Sequence, residues 1–461
     1  MARKRIAATW AVVGLITLAG FGFWQSYRDA SRVTAGSSPS PNRSAVRTEV
    51  GLLDPDARHL WNRLHRRLYA RTTQDGKTYD QESLEPLFVP GSKFLTEGPS
   101  HRQALALLNE FLSRRADRRI KDPVKRAVLQ RDLWAVFSTT VGDARQTVRV
   151  DEQGRIFTLD RLEDPGDVAV PAEQRARRRA LQKRLAQVMR RIALKPEEIK
   201  ALPDNLAQAV KAGAFPTAFD PQQPDRPFLP PDLLARDGAW VAVSNLTRAN
   251  EGFVAAPEHV RFTKGRSVFG VFLRLPAGRQ ATEAYLKQMS AGELGQFPEG
   301  TQTALLRRML LIDRAGRLRE SPLTESLQIR VYRKLDSGIP YEFTLRRRDL
   351  FAGRNGGLRA VGPDDASYFD FQTRGGDVFE APQLRPAERI MATCNKCHSR
   401  LDGRGGIHTV NTIYVRGDHG QKAAGLWPTA LGQEAGTTID WTRKTYTWGL
   451  LQGLWETEAG K

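Results

Sequence analysis

A chain of 461 residues, 40% hydrophobic and 26% charged, has ordinary globular composition and apolar material for two to four domains of roughly 150 residues each. Its formal net charge of +20 favours anionic partners, although the cations are spread along the whole chain, as a solvated basic surface would have them. No G-x-S-x-G, phosphate-binding glycine loop or H-E-x-x-H occurs, so the sequence offers none of those catalytic signatures.

The chain opens with Arg3-Lys4-Arg5 and an apolar run from Ile6 to Trp24. A basic flank before about twenty apolar residues predicts a signal-anchor or signal peptide over residues 1–25, with the body on the outer side of a membrane. Val33-Thr34-Ala35 is a candidate cleavage site, but it lies far from the apolar run, which favours a retained anchor. Export argues against nucleic acid as a partner. Residues 26–51 are rich in Ser, Pro and charge and read as a flexible linker.

Helical periodicity dominates residues 52–213. Ala57, Leu60, Leu64 and Leu68 share one face, and "HRQALALLNEFLSRR" and "DPVKRAVLQRDLWAVFSTT" repeat the theme. Asp122-Pro123 predicts the cap and first turn of the second of these helices. In "RARRRALQKRLAQVMRRIAL", Leu181, Leu185, Val188 and Ile192 line one face opposite the arginines. That pattern suits a bundle helix with a charged solvent face, or a helix that meets a membrane surface or an acidic partner.

Residues 214–234 are proline-rich and read as a domain boundary. Beyond them the period changes to two. "WVAVSN", "SVFGVFLRL" and "FTLRRR" read as strands, and "TALLRRMLLIDRAGRL" as a strand ending in a turn at Arg314-Ala315-Gly316. Leu327, Ile329 and Val331 alternate with Gln328, Arg330 and Tyr332, which predicts a half-buried strand.

The only two cysteines fall in "MATCNKCHSR", as Cys394-x-x-Cys397-His398. Three chemistries use that spacing. A thioredoxin-like redox pair wants it at a helix N-terminus after a strand. A zinc site needs two further ligands, and no second cysteine pair exists. Covalent haem attachment needs two thiols on one face of a helical turn and a histidine held beneath the iron. Pro386 to Ala392 reads as a helix start and Gly403, Gly405 and Gly406 as its stop, which fits the third reading.

In Cys394, Cys397 and His398 the chain resembles the c-type cytochromes, over about its last eighty residues. The resemblance implies one covalent haem c on Cys394 and Cys397, with His398 as proximal iron ligand. In the commonest small members a downstream methionine supplies the sixth ligand, but here none follows Cys397. His408 or His419 is the preferred distal ligand, with an open position, Met289 or Met309 as the other choices and Met391 poorly placed on the motif's own helix. Trp441, Trp448, Leu451 and Trp455 fall at helical spacing and suit either a wall against a flat macrocycle or an aromatic core. Arg400, Arg404 and Arg416 are candidate partners for haem propionates.

The expected fold is a multidomain α+β chain: membrane anchor, helical domain 52–213, β-rich domain 235–380, and a small helical haem-bearing segment 381–461. The expected function is one-electron transfer at the outer face of the cytoplasmic membrane to an acidic redox partner. A haem sensor or catalyst with an open iron site is one rival. A haem-free binding protein with a Cys394–Cys397 disulfide is the other.

Overall fold

The computed structural model describes most of residues 51–457; residues 1–50, 80–92, 160–170, 246–255, 368–378 and 390–425 are the longer stretches outside it. The helices come first. α1 is Leu60–Tyr69, α2 Gly98–Ser113, α3 Pro123–Thr140 and α4 Ala172–Ile192. Between α1 and α2 lies the small pair β1 (Arg71–Thr72) and β2 (Thr78–Tyr79), and between α3 and α4 the hairpin β3 (Thr147–Val150) and β4 (Ile156–Leu159). Short helices α5 (Pro196–Lys200) and α6 (Asn205–Ala212) follow.

Helix starts follow the capping rules. Asp122 accepts from the Val124 and Lys125 amides, with Pro123 in the first turn, as predicted. Leu181, Leu185, Val188 and Ile192 of α4 are all fully buried, so its expected apolar face is the packed one. α3 differs from its neighbours: nearly every residue from Ala127 to Thr140 is buried, so it is the central helix of the body rather than a surface one.

The sheet comprises β5 (Val241–Asn245), β6 (Ser267–Arg274), β7 (Thr301–Ile312), β8 (Leu318–Lys334), β9 (Ser337–Leu345), β10 (Leu358–Ala360) and β13 (Leu426–Pro428). Its order is β10-β9-β8-β7-β6-β5-β13, and every pairing is antiparallel. Helix α7 (Arg279–Ser290) lies between β6 and β7, and α8 (Arg347–Phe351) between β9 and β10. Outside the large sheet, β11 (Ala366–Ser367) pairs with β12 (Glu388–Arg389). The chain ends in α9 (Leu431–Arg443) and α10 (Tyr446–Thr457).

Pro322 sits inside β8 although proline cannot donate to a ladder. The β7–β8 register shifts around Arg308, opposite this stretch, so a bulge absorbs the missing donor. Asn205 then ties α6 to the bulge: its Nδ2 donates to the carbonyls of Thr324 at 3.1 Å and Gly356 at 2.9 Å, and its Oδ1 accepts from the Thr324 amide at 2.6 Å.

Two apolar cores flank α3. One joins α1 to α4 with Leu310, Ile312 and Leu318 of the sheet and with Trp448, Leu451 and Trp455 of α10. The other joins α5, α6 and the sheet, and includes Phe228, Leu229 and Leu233 of the proline-rich stretch. That stretch is therefore irregular but part of the packed body, with Leu229 donating to the Pro216 carbonyl at 2.8 Å and Tyr341 donating to that of Pro224.

These facts correct the expected fold class. Helices and sheet share cores, and residues 50–461 form one compact unit rather than separate helical and β-rich bodies. The membrane anchor and the location drawn from it are corrected too: no helix among the described residues is long and apolar enough to cross a membrane, and Ile6 to Trp24 lies outside those residues. Glu388–Arg389, expected in a helix's first turn, forms strand β12 instead. β8 is buried on both faces at its end, since Arg330 and Tyr332 are buried alongside Leu327, Ile329 and Val331.

Candidate functional site

Cys394, Cys397, His398, His408 and His419 all lie outside the described residues, as do Met391, Arg400, Arg404 and Arg416. What is described is where the chain enters and leaves that stretch. It enters at β12, paired with β11, so residue 389 is anchored five positions before Cys394. It leaves at β13, an edge strand of the large sheet paired with Val243, Ser244 and Asn245 of β5. The candidate haem segment is thus pinned at both ends by strand pairing.

The other residues singled out from the sequence fall in separate places. Met309 on β7 is fully buried among the apolar residues of the second core, and Met289 falls in the last turn of α7. The four tail residues divide between two helices. Thr445 lies in the turn between them and caps the second, its hydroxyl accepting from the Trp448 amide at 3.2 Å. Trp448 packs on Trp134 of α3 with ring centroids 6.0 Å apart, and Trp455 lies over Gly316. The buried tail aromatics of α10 serve the first core.

The described polar centre of the molecule is one the periodicity argument passed over. Helix α3 carries Gln130, Arg131 and Asp132 in succession, all buried. Each fastens a different element. Gln130 donates to the Ile312 carbonyl at 2.7 Å and accepts from its amide at 3.0 Å, closing the end of β7. Arg131 meets Glu325 of β8 at 3.1 Å and donates to Ser267 Oγ of β6 at 3.2 Å. Arg307 of β7 joins the same carboxylate at 3.0 Å, and the Ser267 hydroxyl donates to it at 2.5 Å. Asp132 accepts from Arg347 of α8 at 3.1 Å.

His65 and Tyr69 of α1 complete this centre, with ring centroids 4.8 Å apart. Burial, then Arg347 and Arg66, push the His65 imidazole down to about 3, so it is neutral at ordinary pH. Burial pushes Asp132 up to about 6 against the pull of Arg347 and Arg131. Burial and the Asp132 charge hold the Tyr69 phenol well above its usual range. Among the described residues, His65 Nε2, Tyr69 Oη and Asp132 Oδ2 are buried with no hydrogen-bond partner. A charged pair inside an apolar stretch of the helix, "LQRDLWAVF", was the sequence signal for this centre. Its chemistry is that of a charge-paired lock between helices and sheet. Among the described residues no group of three or more His, Cys, Asp or Glu is placed to hold a metal ion.

A surface cleft of about 480 Å³ lies beside the β1–β2 pair and the start of α2. Arg71 sits between two rings there, 4.0 Å from the centroid of Phe94 and 4.4 Å from that of Phe379. No protein-family model matches the chain, and no curated protein or solved structure matches it.

Proposed function

We propose that the protein is a monohaem c-type cytochrome that carries single electrons. The observation behind this reading is the donor set: the only two cysteines in 461 residues stand three apart, with a histidine directly after the second. That set fits the group. Two thiols form thioethers to the two vinyl groups of one haem, and an adjacent imidazole ligates its iron. No third cysteine exists to compete for either bond.

Cys394 and Cys397 hold the haem and His398 is the proximal ligand. His408 or His419 supplies the distal ligand, a choice helped by Met309 being packed in an apolar core. The haem, when bound, supplies the reversible one-electron change between ferrous and ferric iron. The chain fixes the potential through ligand identity, burial and nearby charge, and its surplus of cations suits an acidic redox partner.

The test is a haem stain of the full chain on a denaturing gel, after expression in a host that matures c-type cytochromes. The wild type should stain and the Cys394→Ala/Cys397→Ala chain should not. A wild type that never stains would leave a Cys394–Cys397 disulfide as the use of the pair.

A further inference from the structure

The turn after α2 breaks a conformational rule. Helices that end in a left-handed residue usually place glycine there, because a side chain at positive φ is strained. Here the residue is Arg115, at φ 47° and ψ 47°. It is exposed, as are Arg114, Arg118, Arg119, Lys121 and, from the end of α4, Arg191. Among the described residues only Arg114 of these six makes an ion pair, with Glu110 at 3.2 Å.

The turn is held rigidly from beneath. Ala116 and Ile120 are buried, and Trp61 Nε1 donates to the Ala116 carbonyl at 2.9 Å. Arg126 reaches across from α3 and donates to the carbonyls of Asp117 at 3.3 Å, Arg191 at 3.2 Å and Ile192 at 3.2 Å. The C-terminal ends of α2 and α4 therefore meet at one spot under a crown of cations. Each helix end carries roughly half a negative charge. Together they answer about one cation, the Glu110, Asp117 and Asp122 carboxylates answer others, and the remaining cations are a smaller surplus on the surface.

We propose that this turn, Arg114 to Lys121 with Arg191 beside it, is a docking surface for an acidic protein. Exposed cations on a scaffold that holds their backbone in place suit charge recognition, and the positive-φ Arg115 is one of them. Acidic protein is favoured over lipid or nucleic acid because, among the described residues, no exposed large hydrophobic accompanies the cations. The exposed large hydrophobic among the described residues is Leu234, outside the turn. So the turn has no wedge for a bilayer and no ring to stack on a base. This inference stands apart from the haem reading.

The experiment measures binding of the full chain to a glutamate-rich peptide at low salt. Two variants each remove four cations: Arg115→Gln/Arg118→Gln/Arg119→Gln/Lys121→Gln in the turn, and Arg175→Gln/Arg178→Gln/Arg179→Gln/Lys183→Gln on α4. The turn variant should bind about tenfold more weakly or worse, and the α4 variant within about twofold of wild type. Arg115→Gly should weaken binding while leaving the melting temperature unchanged or raised. The Cys394→Ala/Cys397→Ala chain should bind like wild type. Equal losses in the two fourfold variants would reduce the effect to bulk charge and overturn the proposal, as would a wild type that does not bind the peptide. A turn variant that loses phosphatidylserine vesicles or single-stranded DNA but keeps the peptide would overturn it in favour of those polyanions.

Discussion

Glu325→Gln tests the claim that the polar centre locks helices to sheet. The carboxylate lies 3.1 Å from Arg131 and 3.0 Å from Arg307, and also accepts from Ser267. Arg131 and Glu325 side chains are 1% and 5% exposed, so water cannot replace the lost charge. At an effective dielectric of about 20, each contact is worth about 4 kcal/mol of Coulomb energy at a charge separation of about 4 Å, before desolvation is subtracted. Removing one partner leaves the buried Arg131 guanidinium short of a counter-charge, and such losses run to about 3–5 kcal/mol. That is a large part of the roughly 5–15 kcal/mol by which a folded protein is stable. Urea unfolding should show a midpoint lowered by that amount at unchanged slope. The paired change Arg131→Met/Glu325→Leu should cost less than Glu325→Gln alone, because no unmatched charge remains on α3. A Glu325→Gln loss below about 1 kcal/mol would refute the reasoning, since that is the scale of an exposed pair.

Acid should act through His65 and Asp132 with opposite signs. His65 falls from its usual value of 6.5 to about 3 in the fold, so its contribution is present above pH 6.5 and is lost as pH falls toward 3. At about 1.4 kcal/mol per unit this approaches 5 kcal/mol by pH 3. Asp132 rises from 3.8 to about 6, so the fold binds its proton more readily than the unfolded chain and regains stability as pH falls from 6 to 3.8. His65→Asn should therefore flatten the acid limb of a melting-temperature profile, whereas an unchanged limb would contradict the burial assigned to His65. Asn205→Ala should lower stability by about 2–3 kcal/mol in chemical unfolding, because it strips bonds from Thr324 and Gly356 inside the body. His398→Ala should change the iron's spin state or lower haem incorporation, and whichever of His408→Ala and His419→Ala alters the low-spin spectrum identifies the distal ligand.

Much of the local structure was legible because it rests on local physics. The 3.6-residue spacing of Leu181, Leu185, Val188 and Ile192 and the Asp122-Pro123 cap needed no tertiary knowledge. The strand and turn around Arg314 to Gly316 were readable for the same reason. The misreadings depend on contacts remote in sequence. Glu388–Arg389 has helix-start composition, but pairing with Ala366–Ser367 overrides it. The proline-rich stretch has the composition of a boundary, yet Phe228, Leu229 and Leu233 are drawn into a core built by α6 and the sheet. The break in the aromatic tail was signalled by Thr445, a residue that favours helix caps. Of the candidate site, the donor set is a matter of spacing and stands in the sequence, while the polar centre around Asp132 joins residues from α1, α3, α8 and the sheet, which no spacing rule connects.

The central claim is one covalent haem on Cys394 and Cys397. The most direct measurement is acid–acetone extraction of the purified full chain, followed by an alkaline pyridine spectrum of the pellet. The account predicts that the haem stays with the polypeptide, at one per chain, with the spectrum of a haem whose two vinyl groups are saturated. Haem that partitions into the acetone, or a colourless pellet from a host able to mature c-type cytochromes, would contradict it.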